Sequence, residues 1–214
     1  MSGHEQEAPP FRVGRKSLAA HSMSRAYMMA GAHVSDDGRY RYRLNRQWAA
    51  TSRQPRTAVF VMLNPSTADA DKDDATIRRC VNFADREGCG RLIVVNLFAL
   101  RSTDPSALRA GWLAGDDVTG PDNQATIIGA IDEAADTRGL IIAAWGANWP
   151  RPNMPPRYNW ERIAAANGIK PRCFGLTRHG QPLHPCRLPD AQRLQPWSAA
   201  GMPAGNYVND LIFP

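Results

Sequence analysis

The sequence predicts an α/β fold: a three-layer α/β/α sandwich with a central, mostly parallel four-stranded sheet, preceded by a β-hairpin. Four short runs are apolar throughout, as in strands buried on both faces: residues 58–63, 92–95, 140–144 and 173–176. Three segments between these runs show helical spacing of apolar residues: Asp74 to Gly88, Asn123 to Ala135 and Trp160 to Asn167. This alternation of strands and helices is typical of a parallel sheet with right-handed crossovers.

The elements before the first apolar run are an arm and a hairpin. Residues 1–25 are polar and basic and lack any period, which predicts a flexible basic arm. In residues 33–48, the turn sequence 36–38 precedes an alternating run, which predicts a hairpin with one apolar face. Tyr40, Tyr42 and Leu44 alternate there with Arg39, Arg41 and Arg43. The arginine face is either a DNA-facing edge or a solvated face.

The length of 214 residues and a hydrophobic content of 43% suit one globular domain with its own core. We place this domain at residues 26–189, with the hairpin at 33–48 and the α/β core at 57–189. Residues 190–214 are too apolar for a free tail and predict an extension packed on the domain. They could instead form part of a partner or substrate surface.

The charge balance favours a nucleic-acid partner. Arginine supplies 23 of the 26 basic residues, against 20 acidic residues, which gives a net charge of +6. The guanidinium group binds phosphate oxygens in pairs and stacks on bases, although a GC-rich genome also raises arginine content. No apolar run is long enough to span a bilayer and the N-terminus lacks a secretory signal, so we expect a cytoplasmic protein without membrane contact.

The cysteines argue against a metal site. Cys80, Cys89, Cys173 and Cys186 lack the close spacing of zinc ligands and have no paired histidines nearby. We expect reduced, mostly buried thiols, and neither a metal nor another cofactor.

Polar residues follow every predicted strand. In a parallel sheet, ligands bind outside the carboxyl ends of the strands, so these loops meet at one rim. The segments concerned are 64–69, 96–105, 145–148 and 177–185. A single Asn or His at a strand end is usually a cap or a turn former, but four such loops predict a pocket.

In motif order, these loops resemble the uracil-DNA glycosylase superfamily over most of the stretch from Thr57 to Pro189. Residues 63–66 are similar to its water-positioning loop, and residues 95–105 to the strand end whose Asn reads the flipped base. Residues 144–146 are similar to the strand end closed by Gly, and residues 184–188 to the loop whose His-Pro opens the minor-groove wedge. Residues 63–80 and 120–123 also resemble a phage and bacterial family without an assigned activity.

The resemblance implies three catalytic roles. Asn64 would hold the attacking water, with Asp69 as an assisting acid, and neutral His184 would donate a hydrogen bond to the departing base. Asn96 would read the polar edge of a pyrimidine. The structural alternatives are helix capping or turn formation for the two asparagines and a surface-loop role for His184.

The substrate pocket implied by the resemblance departs from the uracil-specific members. After Pro65 they carry a Tyr that blocks 5-substituted bases, whereas this sequence has Ser66, so we expect room for a 5-substituent. Phe98 or Trp145 would stack on the base, or else belong to the core.

DNA contacts are expected around this pocket. Arg101, Arg178 and Arg187 would bind phosphates or be solvated surface residues. Leu188 would insert into the base stack as a wedge or be an ordinary core residue. The acidic residues 69–74 are expected to cap a helix rather than bind a divalent ion.

These features lead us to expect a monofunctional DNA glycosylase that removes a modified, 5-substituted pyrimidine, such as a hydroxymethylated or glucosylated base. The rim loops contain no lysine for a Schiff-base step, so the product would be an abasic site. The alternatives are uracil excision, a hydrolase or transferase of free nucleotides, and a non-catalytic reader of modified DNA. The partner would be double-stranded DNA with a flipped base, and no obligate protein partner is evident. Defence against phage DNA, a phage-encoded role and repair all stay open.

Overall fold

The computed structural model describes residues 26–49, 54–66, 68, 70, 72–104, 106–147 and 164–198. The strands are β1 (Met29–Val34), β2 (Arg41–Gln47), β3 (Thr57–Met62), β4 (Arg91–Asn96), β5 (Leu140–Ala143), β6 (Arg172–Cys173) and β7 (Gln195–Pro196). The helices are α1 (Ala75–Arg86), α2 (Ser106–Leu113) and α3 (Asn123–Asp136), and a 3-10 turn covers Pro185–Arg187.

All seven strands belong to one sheet, in the order β1-β2-β4-β3-β5-β6-β7. Pairing is parallel in the middle, from β4 through β3 and β5 to β6, and antiparallel at both edges. The predicted α/β class is confirmed, but the predicted four-stranded sheet is wrong. The hairpin is part of the sheet, because β2 pairs with the otherwise open edge of β4.

Helices cover both faces of the sheet. On one face, Cys80 and Phe83 of α1 belong to a buried cluster that includes Phe60 of β3. On the other, Ile131 of α3 belongs to a cluster that includes Val59 of β3. Neighbouring strand residues point to opposite faces, so a strand covered on both sides is apolar at every position. This is the reason that the core runs in the sequence show no alternation.

Several predicted elements differ from the structure. The helices expected at 74–88 and 123–135 are α1 and α3, whereas α2 was not expected. The strand expected at 173–176 is shorter, since the chain from Gly175 onwards pairs with the segment that ends at Leu183, whose N–H donates to the Gly175 carbonyl at 2.9 Å. Of the helix expected at 160–167, residues 164–167 are described, and residues 164–166 are helical.

A β-bulge in the hairpin changes the predicted arginine face. The β1–β2 register shifts by one residue between His33 and Val34, and this leaves one extra residue in β2. As a result, Arg43 pairs with Glu133 on α3, while Arg41 donates to the carbonyl of Ala68 after β3. The expected face of three aligned arginines, whether solvated or bound to DNA, is therefore not present.

The described part of the C-terminal extension covers the far edge of the sheet. Strand β7 pairs antiparallel with β6, and the Trp197 N–H donates to Pro171 O at 3.0 Å. Trp197 packs edge-on against Trp145, with the ring centroids 5.1 Å apart. The predicted arm at 1–25 and residues 199–214 lie outside the described residues. Within the described ranges, the chain contains no helix with the length and apolar character that a bilayer crossing requires.

Candidate functional site

The carboxyl ends of the parallel strands form the candidate site. Helix α1 packs on one face of the sheet and α3 on the other, so the chain leaves β3 and enters β5 on opposite faces. Such a change of face between neighbouring strands opens a crevice at their carboxyl ends. The loops after β3 and β4 meet through the Ser102 N–H, which donates to Pro65 O, and the loop after β5 meets the segment before His184 through the Gly146 N–H, which donates to Pro182 O.

Asn64 is the second residue after β3, and hydrogen bonds to the loop that follows β4 hold it in place. Its Nδ2 donates to the carbonyl of Ser102 at 3.0 Å and more weakly to that of Pro65 at 3.3 Å. The Ser102 N–H in turn donates to Pro65 O at 3.0 Å. These bonds commit the amide nitrogen of Asn64 to the protein, and its oxygen is the atom suited to accept a hydrogen bond from a water. Pro65 is buried and Ser66 is half-buried beside it.

Asn96, the last residue of β4, is 1% exposed. Its Nδ2 has no hydrogen-bond partner among the residues that the structure describes. A buried donor without an acceptor costs about 1–3 kcal/mol, so native proteins rarely keep one without a functional reason. The donor is available to a ligand that offers an acceptor.

Asn123 holds the backbone next to Asn96. This fully buried residue begins α3 and donates from Nδ2 to the carbonyls of Asn96 and Leu97, at 2.9 and 3.2 Å. Two backbone carbonyls at the end of β4 thus receive a hydrogen bond from this side chain. The sequence singled out the 120–123 segment without assigning Asn123 a role, because neither its burial nor its partners are visible from residue order.

His184 reaches the site from the segment before the 3-10 turn. Its Nδ1 accepts from the Cys186 N–H at 3.3 Å, which places the ring proton of the neutral imidazole on Nε2. Burial lowers the pKa of His184 below its usual value, and the Asp74 carboxylate opposes that shift. His184 is therefore neutral near pH 7 and can donate from Nε2.

Gly146 joins His184 to the end of β5. The Gly146 N–H donates to Pro182 O at 2.9 Å, and its φ is +82°. A Cβ at this position would lie 2.9 Å from the Cβ of His184, closer than two carbons can pack. The approach of His184 to β5 therefore depends on glycine at position 146.

The two candidate stacking aromatics are packed in the core. Phe98 is 1% exposed and Trp145 is 2% exposed, and both belong to the cluster beneath α3. The Trp145 Nε1 donates to Gln181 Oε1 at 2.7 Å, and its ring packs on Trp197. This burial favours the core role that the sequence left open for each of them.

The candidate DNA contacts are placed unevenly. Arg178 and Arg187 are exposed, whereas Arg101 is half-buried and donates to Gly38 O at 3.2 Å. Leu188 is half-buried against the α1-side cluster, and its carbonyl accepts from Arg79 of α1. The packing of Leu188 favours the core alternative over a wedge. Asp69 lies outside the described residues.

The acidic run before α1 has a structural role where it is described. Asp74 caps α1 by accepting from the Ile77 N–H at 2.8 Å, as predicted. Asp73 accepts from Arg46 Nε at 2.8 Å and from the Tyr27 hydroxyl. In the described segments, no group of three or more His, Cys, Asp or Glu side chains is arranged to hold a metal ion.

Two buried arginines of β2 anchor the chain near the site, and the sequence analysis did not assign them this role. Arg46 is 1% exposed and bonds Asp73, while Arg41 is 3% exposed and bonds the Ala68 carbonyl. Together they hold the segment between β3 and α1, which contains Asn64, at two points. The alternation of Arg41 with apolar residues indicated an ordinary amphipathic strand, and no sequence signal marked Arg41 or Arg46 as an anchor.

The comparisons with known proteins identify a family but no characterised relative. Residues 41–186, about two thirds of the chain, match the family described as "Protein of unknown function (DUF1643)". No curated protein and no solved structure matches the chain. The matched range begins with β2 and includes Asn64, Asn96, Gly146 and His184. The chain therefore belongs to the DUF1643 family.

Proposed function

We propose that this protein is a monofunctional DNA glycosylase that hydrolyses the N-glycosidic bond of a 5-substituted pyrimidine in DNA and leaves an abasic site. The buried amide of Asn96 carries the proposal, because its Nδ2 is a donor that meets no acceptor in the described chain. A pyrimidine flipped out of the stack presents carbonyl oxygens that can accept this hydrogen bond.

The reaction requires an oriented water and stabilisation of the departing base. A water that donates one O–H to Asn64 Oδ1 attacks C1′ of the sugar as the bond between C1′ and the base nitrogen breaks. The bonding electron pair moves to the base, and negative charge develops on its carbonyl oxygens. The proton lost by the water passes to solvent, and the base is protonated on release. Neutral His184 supports the proposal, since its Nε2–H can donate to one of these oxygens.

The small residue at position 66 supports a substituted base. Ser66 is half-buried directly after Pro65, at the point where the resemblance implies a ring that blocks 5-substituents. A hydroxymethyl group fits where that ring is missing, and the Ser66 hydroxyl can hydrogen-bond it. Uracil would lack this contact and would leave the space empty.

Hydrolysis or transfer on free nucleotides is the second candidate function. Leu188, the expected wedge, packs against the α1-side cluster, and Arg101 of the expected phosphate rim bonds the Gly38 carbonyl. An enzyme of free nucleotides needs neither a wedge nor a phosphate rim. The same Asn64, Asn96 and His184 would then act on a nucleoside or nucleotide that diffuses into the crevice.

An abasic-site assay tests the proposal. The full chain is incubated with four DNAs, which are unmodified, uracil-containing, 5-hydroxymethylated and glucosylated, and strand cleavage by alkali is measured. Free nucleosides and nucleotides with the same bases are assayed in parallel for base release. Asn64→Ala removes the water-holding oxygen, and Asn82→Ala serves as the control, since Asn82 is exposed on α1.

We expect alkali-labile sites in 5-substituted DNA, with activity reduced by about 10²–10³ in Asn64→Ala and unchanged in Asn82→Ala. Cleavage of uracil DNA alone would contradict the assignment of a substituted base. Base release from free nucleotides alone would establish the second candidate. Binding to modified DNA without cleavage, with Asn64→Ala unaffected, would show a reader of modified DNA instead.

A further inference from the structure

The segment Gly175–Leu183 forms a short hairpin beside the candidate site, which we call the 175–183 hairpin. The Leu183 N–H donates to Gly175 O at 2.9 Å, and the Thr177 N–H donates to Gln181 O at 2.7 Å. Leu176 and Pro182 form an antiparallel bridge between these two bonds. The hairpin is thus closed by backbone bonds along its length.

Side-chain bonds fix the turn of the hairpin as well. The Thr177 hydroxyl oxygen accepts from the N–H groups of His179 and Gln181, at 3.3 and 3.1 Å. The Gly180 N–H donates to Thr177 O at 2.9 Å. A turn held by these bonds keeps its side chains in place before any partner binds, which lowers the entropic cost of binding.

The base of the hairpin is attached to the candidate site. Gln181 accepts from the Trp145 indole, and the Pro182 carbonyl accepts from the Gly146 N–H. His184 follows the hairpin directly. The hairpin and the proposed donor to the leaving base therefore share one anchor at the carboxyl end of β5.

The exposed part of the hairpin combines one apolar and two basic side chains. Leu176 is 46% exposed and is among the few large apolar side chains at the surface of the described chain. Arg178 and His179 are exposed at the turn, where Arg178 Nε donates to His179 Nε2 at 2.9 Å. Residues 170–189 include four Lys or Arg and no Asp or Glu. The stretch of chain that carries Leu176 is thus basic, and Leu176 itself is exposed.

We infer that the 175–183 hairpin is the element that enters the DNA, with Leu176 as the wedge between base pairs and Arg178 as a phosphate contact. This inference rests on the proposed function and names the residue that fills the space of the flipped base. Apolar side chains on rigid supports act in this way in proteins that unstack or bend DNA. Leu176 takes the wedge role that the sequence analysis assigned to Leu188, because Leu188 is packed against the core.

The experiment compares Leu176→Ala with Met29→Ala in the full chain. Met29 is 63% exposed but pairs with Gln47, which pairs with Arg91 at the amino end of β4, away from the site. Excision is measured on one 5-hydroxymethyluracil oligonucleotide, as a duplex and as a single strand. Fluorescence of a neighbouring 2-aminopurine in the duplex reports unstacking without any need for hydrolysis.

We expect Leu176→Ala to lose about tenfold in duplex excision and in the unstacking signal, while single-strand excision changes less than twofold. Leu176→Met should retain the duplex activity, and Met29→Ala should match the wild type throughout. Arg178→Gln should weaken duplex binding and reduce its salt dependence by about one phosphate contact.

Two results separate this inference from the proposed function. If Leu176→Ala and Met29→Ala behave alike on the duplex while the wild type excises the base, the wedge is refuted and the glycosylase stands. If no base is excised but the 2-aminopurine signal depends on Leu176, the wedge stands and the glycosylase is refuted. If the protein neither binds nor unstacks the duplex, both are refuted.

Discussion

Replacement of Gly146 by alanine tests whether the site depends on the close approach of His184 to β5. Gly146 has φ +82°, a conformation that costs a residue with a Cβ about 1–2 kcal/mol. The new Cβ would lie 2.9 Å from His184 Cβ, whereas carbon atoms pack best at about 3.5–4.0 Å. Relief of this overlap requires His184 to shift, which moves its Nε2 donor away from the position that the proposed reaction needs.

Gly115 provides a matched control for backbone strain. Its φ is +83°, but a Cβ there meets no atom within 4 Å among the described residues. Gly115→Ala should lower the free energy of unfolding by about 1–2 kcal/mol from conformation alone. Gly146→Ala should lose the same amount plus about 1–3 kcal/mol from overpacking. Urea unfolding of both variants gives the two differences in stability.

Activity separates the two variants more sharply than stability does. A 1 Å displacement of a catalytic group costs about 10²-fold in rate, so Gly146→Ala should lose most of its base excision under conditions where it is folded. Gly115→Ala should keep wild-type activity. Equal stability losses in the two variants, together with full activity of Gly146→Ala, would refute the view that His184 is positioned through Gly146.

Three further predictions concern buried polar groups and thiols. Asn96→Leu should abolish excision but leave the free energy of unfolding unchanged or raised by about 1 kcal/mol, because it removes an unpaired buried donor. Asn123→Leu should lower the free energy of unfolding by about 1–3 kcal/mol, because two carbonyls lose their donor. Urea unfolding measures both values, and a large loss of stability in Asn96→Leu would count against an unpaired donor. Burial lowers the pKa of His184 in the folded chain below the value of about 6.5 that it has in the unfolded chain. At a pH between these two values, His184 is protonated in the unfolded chain but neutral in the folded chain, so the free energy of unfolding should fall as the pH drops through this range. His184→Asn should flatten this part of a stability-against-pH curve, and an unchanged curve would contradict the assignment. Cys186 is the one exposed cysteine of the four, so a thiol reagent should titrate one group in the native protein and four after unfolding; more than one native thiol would show that the other three are accessible.

The middle of the sheet could be predicted from the sequence because strands buried on both faces consist almost entirely of apolar residues. The runs at β3, β4 and β5 are apolar at nearly every position, and only strands covered by helices on both sides tolerate this. Residue 173 lies in a similar run, yet β6 has two residues. The chain beyond β6 pairs instead with a segment later in the chain, through the bond from the Leu183 N–H to Gly175 O, and composition does not reveal this pairing.

The arginines of β2 show why the edge of the sheet was harder to predict. Alternation of Arg with Tyr and Leu normally indicates one solvated face. Here the strand is paired on both sides, and the bulge turns Arg41 and Arg43 towards different faces. Burial of Arg46 depends on Asp73, which is 27 positions further along the chain. Such anchors arise from tertiary pairing, which a single sequence does not encode locally.

The sequence predicted the location of the candidate site, at the ends of the strands. Its chemistry depends on which atoms of each polar side chain bond the protein and which are available to a ligand, and the sequence does not show this. Asn64 gives its amide nitrogen to Ser102 and has an oxygen for a water. His184 accepts a backbone N–H at Nδ1 and has a donor at Nε2. Asn96 Nδ2 donates to no described residue, and Asn123 donates to the Asn96 carbonyl beside it.

The groups that are left form one acceptor and two donors, all neutral, at the carboxyl ends of adjoining strands. The donors suit carbonyl oxygens that gain negative charge, and the acceptor suits a water that loses a proton. A ligand carbonyl oxygen that accepts from Asn96 Nδ2 would offset the cost of leaving this buried donor unpaired. The combination therefore favours hydrolysis of a bond to a carbonyl-bearing leaving group, of which a pyrimidine attached to a sugar is one.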